Sequence, residues 1–112
     1  IVLTAGTWLV IANINAEVNA GVSASSDTKI SITDSSNSII QNQEKTLEHL
    51  NASSTANSRV ICCLSFSFVA NLNSSVTYKI RAVRNNTTGS GSILYNAPAS
   101  KANSEFFAIR IA

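Results

Sequence analysis

Charge is scarce in this chain: Asp, Glu, Lys and Arg make up 12% of its 112 residues, about half the ~25% usual in soluble domains. The net charge is +2, without the clustered Lys and Arg of a nucleic-acid footprint, so nucleic acid is not an expected partner. No apolar run exceeds five residues, as in Trp8-Leu9-Val10-Ile11-Ala12. A spanning helix needs ~20, so membrane insertion by a helix is excluded. The basic start and longer apolar stretch of a signal peptide are absent too. The chain opens on Ile1 rather than Met. It reads as a piece of a longer protein, and secretion of that parent stays open. Methionine is missing and Pro98 is the single proline. The two cysteines, Cys62 and Cys63, are neighbours. Neighbours on a strand point to opposite faces, so they read as two free thiols, Cys62 in the core and Cys63 outside it. Neither a disulfide framework nor a four-ligand zinc site fits two adjacent cysteines and the lone His49.

Low hydrophobicity with high net charge marks disordered chains, and 45% hydrophobic content at +2 excludes that. Ser, Thr and Asn supply 40 of the residues, spread along the whole sequence. The length is that of one domain, so residues 1–112 are read as a single unit.

Period-two alternation dominates. From Thr7 to Val18 the even positions Trp8, Val10, Ala12, Ile14, Ala16 and Val18 form one buried face. Ser58 to Ala70 repeats this with Val60, Cys62, Leu64, Phe66 and Phe68. Val76 to Ala82 does so with Val76, Tyr78, Ile80 and Ala82. Glu105 to Ile111 closes the chain, with Phe107, Ile109 and Ile111 expected inward. Thr28–Thr33, Ile39–Asn42 and Ser92–Asn96 are shorter strand candidates. Gln43 to Leu50 breaks the pattern: Leu47 and Leu50 are three apart, so a helical turn or two is expected there. Turn signals separate the runs, and Asn71–Ser75 reads as a tight hairpin. Short strands with turns between them make the fold class all-β, a sandwich or a barrel.

Several strands are apolar on both faces. Leu9 and Ile11 oppose Val10 and Ala12; Ile61, Cys63 and Val69 oppose Phe66 and Phe68; Phe106 and Ala108 oppose Phe107 and Ile109. A sheet with one face in water shows polar residues there, so a subunit interface is expected. Scattered surface aliphatics are the alternative.

No constellation reads as chemistry. His49 has no nucleophile elbow to serve and is read as a loop or surface residue. The six carboxylates are read as solvated. Asp27 and Asp34 lack calcium-loop spacing, and Gly89-Ser90-Gly91 lacks the Lys of a phosphate loop. Asn51, Asn73 and Asn86 head glycosylation-type triplets of the kind that chance supplies in such a composition. Arg59, Lys79, Arg81 and Arg84 form the densest basic group and are read as solvated strand positions. Trp8 and Tyr78 fall on buried parities. Within the polar loops 51–57 and 85–91, Asn86 and Thr87 are candidate ligand contacts. Tyr95, beside the second loop, is a candidate for stacking on a sugar.

Three segments carry a family resemblance: Leu3-Thr4-Ala5-Gly6-Thr7-Trp8-Leu9-Val10, Val76-Thr77-Tyr78-Lys79-Ile80-Arg81-Ala82 and Phe106-Phe107-Ala108-Ile109-Arg110-Ile111. Together they resemble the small β-domains at the C-terminal ends of bacteriophage tail fibres and related virion proteins. Those often show an L-T-A-G-x-W start, a central T-x-Y strand and a closing apolar strand with arginine. The arrangement is also similar to the jelly roll of the C1q and tumour-necrosis-factor type. Leu3, Gly6, Trp8, Tyr78 and Arg110 carry the likeness. It implies an antiparallel β-sandwich of jelly-roll type, assembled as a homotrimer at the tip of a virion fibre, extracellular after release. Such a domain binds a host-surface polysaccharide or protein receptor without catalysis, metal or cofactor, or else only trimerises and caps the fibre.

Overall fold

The computed structural model describes residues 1–84, 90–93 and 104–112. Its strands are β1 (Val2–Leu3), β2 (Gly6–Ala20), β3 (Ala24–Thr33), β4 (Ile39–Asn51), β5 (Ser58–Leu72), β6 (Val76–Thr77), β7 (Lys79–Arg84), β8 (Ser90–Ile93) and β9 (Glu105–Arg110). All pairings are antiparallel, and no helix occurs among the described residues.

Strand β2 is the axis of the larger sheet. It pairs along its whole length with β5, from Gly6↔Leu72 to Ala20↔Ser58. Its other edge carries β9, from Trp8↔Arg110 to Asn13↔Glu105, and then β8, from Ala16↔Ile93 to Asn19↔Ser90. A three-stranded sheet, the smaller of the two main ones, has the order β4-β3-β7, and β1 and β6 form a separate two-stranded sheet. The chain passes from β2 to β3 through three residues, 21–23, and from β4 back to β5 through six, 52–57. The β3–β4 hairpin is therefore nested inside the β2–β5 pair, and one two-stranded ribbon supplies both sheets.

The even positions of β2 explain the core. Val10, Ala12, Ile14, Ala16 and Val18 are buried, and alanine alternates with larger side chains. Ala12 lies opposite Phe66 on one side and Phe106 on the other, so the small residue leaves room for two rings. Ile30 and Ile32 of β3 and Leu47 of β4 join the same cluster. Side chains of β4 close the gap to β5. Gln43 Nε2 donates to Ser67 O at 3.5 Å, and Lys45 Nζ reaches Ser65 O and lies 5.3 Å from the Phe66 ring centre. His49 Nε2 is 2.6 Å from Ser58 Oγ.

Four expectations are corrected. Gln43–Leu50 is strand, not helical turn: β4 pairs with β3 from Ser31↔Glu44 to Ala24↔Asn51. Leu47 points inward while Leu50 is 75% exposed. The ladder satisfies the backbone that a short isolated helix would leave to water. Asn42, with φ 61°, sits in the bulge where the register shifts between Ser31 and Thr33. Asn71–Ser75 is not a hairpin, because β5 pairs with β2, β6 with β1 and β7 with β3; the turn carries the chain between sheets. The strand expected over Val76–Ala82 is interrupted at Tyr78, between β6 and β7. In β9 the inward residues are Phe106 and Ala108, whereas Phe107, Ile109 and Ile111 are 40–55% exposed.

Candidate functional site

The strand directions give the molecule two distinct ends. At one, the base, lie Ile1, the 34–38 turn, the 73–75 turn and Ala112. At the other, the top, lie the 21–23 and 52–57 loops. The long axis measures 55 Å.

The five residues that carry the family likeness gather at the base. Leu3 is buried and pairs with Val76. Tyr78 is buried and sets its ring edge-on to Phe68, centres 5.3 Å apart at 84°. Trp8 Nε1 donates to Thr4 O at 3.0 Å, and the Arg110 guanidinium lies 5.9 Å from the Trp8 ring centre, within reach of a cation–π contact. Gly6 has φ +140°, and a Cβ there would fall 3.0 Å from Ala112 O and 3.1 Å from Arg110 Nε. No other residue type fits that backbone and that close approach without strain.

The outer faces of the two sheets differ sharply. On the smaller sheet Asp27 lies opposite Glu48, and Ser31 lies between Glu44 and Arg81. Lys79 Nζ donates to Ser35 O at 2.9 Å and Asn37 Oδ1 at 3.3 Å. Glu44, Glu48 and Arg81 face water there, while Ser31 between them is buried. On the larger sheet, toward the base, Leu9 lies between Val69 and Ile109, and Ile11 lies between Ser67 and Phe107. Val69 is 56% exposed and Ile109 49%. Toward the top the same face is mixed, with exposed Ile61 and Cys63 on β5 opposite polar residues of β2. It carries Asn13, Asn15, Glu17 and Asn19, with Asn19 Nδ2 on Glu17 Oε1 at 3.0 Å and Arg59 Nη1 3.5 Å from Glu17 Oε2.

No family model, curated protein or solved structure matches this chain.

Asn86, Thr87 and Tyr95 lie outside the described residues. The 52–57 loop sits at the top, held by Asn51. Buried Asn51 donates through Nδ2 to Gly21 O and Ala56 O, both at 2.8 Å, and to Ala20 O at 3.3 Å. Its Oδ1 accepts Ser53 N–H at 3.0 Å. Asn51 is thus a structural brace for both top loops, not a glycan acceptor. Asp34 is a turn residue, its Oδ1 accepting Ser36 and Ser38 N–H at 2.8 and 2.9 Å. Among the described residues no three His, Cys, Asp or Glu side chains converge for a metal. His49 lies between the sheets, on Ser58. The basic group is divided: Arg59 lies on the larger sheet, Lys79, Arg81 and Arg84 on the smaller. Cys62 packs against the core and Cys63 is exposed, both as free thiols.

A cavity of about 340 Å³ opens beside β7 and β9, lined mainly by Ile14, Tyr78, Ile80 and Phe106. Thr77, Lys79, Ser104 and Glu105 also line it, and the Ser104 hydroxyl accepts Asn15 N–H at 2.9 Å. The sequence reading missed the exposure of Phe107 and Ile109, although one signal was available. They share parity with Glu105, a residue that belongs outside.

Proposed function

We propose that this domain is a non-catalytic attachment module at the tip of a bacteriophage tail fibre, acting as a homotrimer. It recognises a host-surface receptor, a polysaccharide in the first instance. The observation that carries this reading is the division along the long axis. An apolar sheet face lies toward the base, the end that holds Ile1 and Ala112, and loops rich in Ser, Thr and Asn, with Val22 exposed among them, lie at the opposite end. A module joined to a fibre at its base turns its top loops outward, and loops on a rigid scaffold are where binding residues concentrate. Three copies side by side make weak contacts useful through avidity. The nested β2–β5 and β3–β4 ribbon supports assignment to the jelly-roll type. The reading involves no cofactor, metal or nucleic acid, and it places the protein in the virion.

A second reading, that the domain only trimerises and caps a virion fibre, draws on the same apolar face. The two separate on deletion of the domain from the virion. Loss of host adsorption with an intact fibre supports recognition. Normal adsorption on a poorly assembled fibre supports capping. Shortening of host polysaccharide by the purified domain defeats the non-catalytic reading.

A further inference from the structure

We infer that a basic stripe on the outer face of the smaller sheet, made by Lys79, Arg81 and Lys29 and extended by Arg84, binds a polysaccharide that bears carboxylates. The inference rests on the polysaccharide recognition in the proposed function. It adds the charge class of the glycan and a contact surface apart from the top loops.

The stripe follows from the strand register. Lys79 lies opposite Thr33, Arg81 opposite Ser31, and Lys29 opposite Val83. Three successive outward rows therefore carry one cation each, over about 13 Å at ~3.3 Å per residue. Lys79, Arg81 and Arg84 are exposed on a strand of six residues that has no acidic residue, and Lys29 is half-buried beside them. The carboxylates of this sheet stand elsewhere. Glu44 is two strands from Arg81, and Asp27 is one row beyond Lys29, opposite Glu48. Asp34 Oδ1 is taken up by the N–H groups of its own turn. Two strand spacings are about 10 Å, roughly a Debye length at physiological salt, so Glu44 neutralises Arg81 only weakly. Among the described residues the one ion pair joins Arg59 to Glu17 on the larger sheet. Charge on an edge strand also discourages pairing with another chain. That does not account for Lys29, which lies on the central strand of its sheet.

The surroundings of the stripe favour a sugar. Ser35, Ser36, Asn37 and Ser38 are exposed at its base end. Lys79 Nζ is held against that turn through Ser35 O and Asn37 Oδ1. Hydroxyl and amide groups beside positioned cations suit a ligand that combines hydroxyls with regularly spaced anions. Arg81 and Arg84 can each grip a carboxylate through two parallel N–H donors. None of the three strands carries Phe, Tyr or Trp, so a nucleic-acid base finds no ring to stack on.

The test is binding of the purified domain to immobilised polygalacturonate, neutral dextran and single-stranded DNA at about 0.15 M NaCl. The wild type is compared with Arg81→Ser, Arg81→Lys and Arg59→Ser. Arg59 is the control, an equal charge removed from the larger sheet. The wild type and Arg59→Ser should bind polygalacturonate and not dextran. Arg81→Ser should bind about tenfold more weakly, the size of one charge-assisted contact, and Arg81→Lys should recover part of that loss. Equal losses at Arg81 and Arg59 overturn the stripe, because binding then follows net charge alone. DNA bound as tightly as polygalacturonate overturns the glycan as occupant. Should Arg81→Ser fail to fold, acetylation of the wild type decides the matter. Polygalacturonate that protects Lys79 and leaves exposed Lys45 reactive supports the contact, and equal labelling refutes it. Adsorption of the labelled domain to host cells is measured alongside. Adsorption without polygalacturonate binding overturns the acidic class and leaves receptor recognition standing, whereas absence of both overturns the two together.

Discussion

Ser26, Thr28 and Thr33 carry buried hydroxyl oxygens without a hydrogen-bond partner among the described residues. All three lie on β3, whose even positions Ser26 and Thr28 share the inner face with Ile30 and Ile32. A buried, unpaired hydroxyl loses its water without compensation. Thr28→Val keeps the shape and removes that loss, so it is expected to stabilise the fold by about 1 kcal/mol. Urea unfolding checks this as a higher midpoint at unchanged slope. Tyr78 makes a pH prediction. Burial, and then the negative charge of Asp34, push its phenol above the ordinary 10.0. In alkali the unfolded chain ionises this group first. The stability that comes from keeping it neutral is complete below about pH 10 and declines as pH rises toward the folded-state value. Tyr78→Phe should therefore lose less stability than the wild type between pH 9 and pH 11, measured by denaturant midpoints. An equal loss in both would assign the alkaline effect to other groups. Asn51 shows the residue scale from the opposite side: a polar residue in a polar sequence is indistinguishable from its neighbours until its four hydrogen bonds are seen.

At the scale of the element, β2 and β5 were legible because their alternation is long and clean. The face containing Val10, Ile14, Phe66 and Phe68 is the one that packs inward. Strand β9 was misread because Phe106-Phe107-Ala108-Ile109 is apolar at both parities. Alternation then gives no phase, and only the pairing Ala12↔Phe106 fixes it. The phase has a measurable consequence. Phe106→Ala removes a ring packed on the core and should cost about 2–3 kcal/mol, somewhat under the 3–5 of a fully buried ring. Phe107→Ala, at an exposed position, should change stability by about 0.5 kcal/mol or less. Thermal unfolding of the two variants compares them, and a larger effect at Phe107 would reverse the assigned faces. Strand β4 was misread for a different reason. Gln43, Glu44, Lys45, Thr46 and Glu48 give it no apolar alternation, and its extended form is imposed by hydrogen bonding to β3. Strand preference of this kind comes from neighbours more than from the residues themselves.

The whole molecule is long and thin, 55 × 31 × 16 Å, with a radius of gyration of 16.1 Å, where a compact chain of this length would give about 13 Å. A thin body has a large outer surface for its core, so the character of its two outer faces decides its behaviour in solution. If the proposed trimer forms through apolar surface, its mass should be the same in 0.1 M and 1 M NaCl, read by light scattering. Dissociation in high salt would point to the charged smaller sheet instead, since salt screens exposed charge pairs. The sequence by itself determined that this protein is built of strands, which faces of β2 and β5 are buried, and that apolar residues exceed what one core can use. Those properties follow from local alternation and composition. Only the tertiary structure decided where the surplus goes, because that depends on which strands lie side by side. Leu9, Val69 and Ile109 are separated by dozens of residues in the chain and form one row only after β5 and β9 pair with opposite edges of β2.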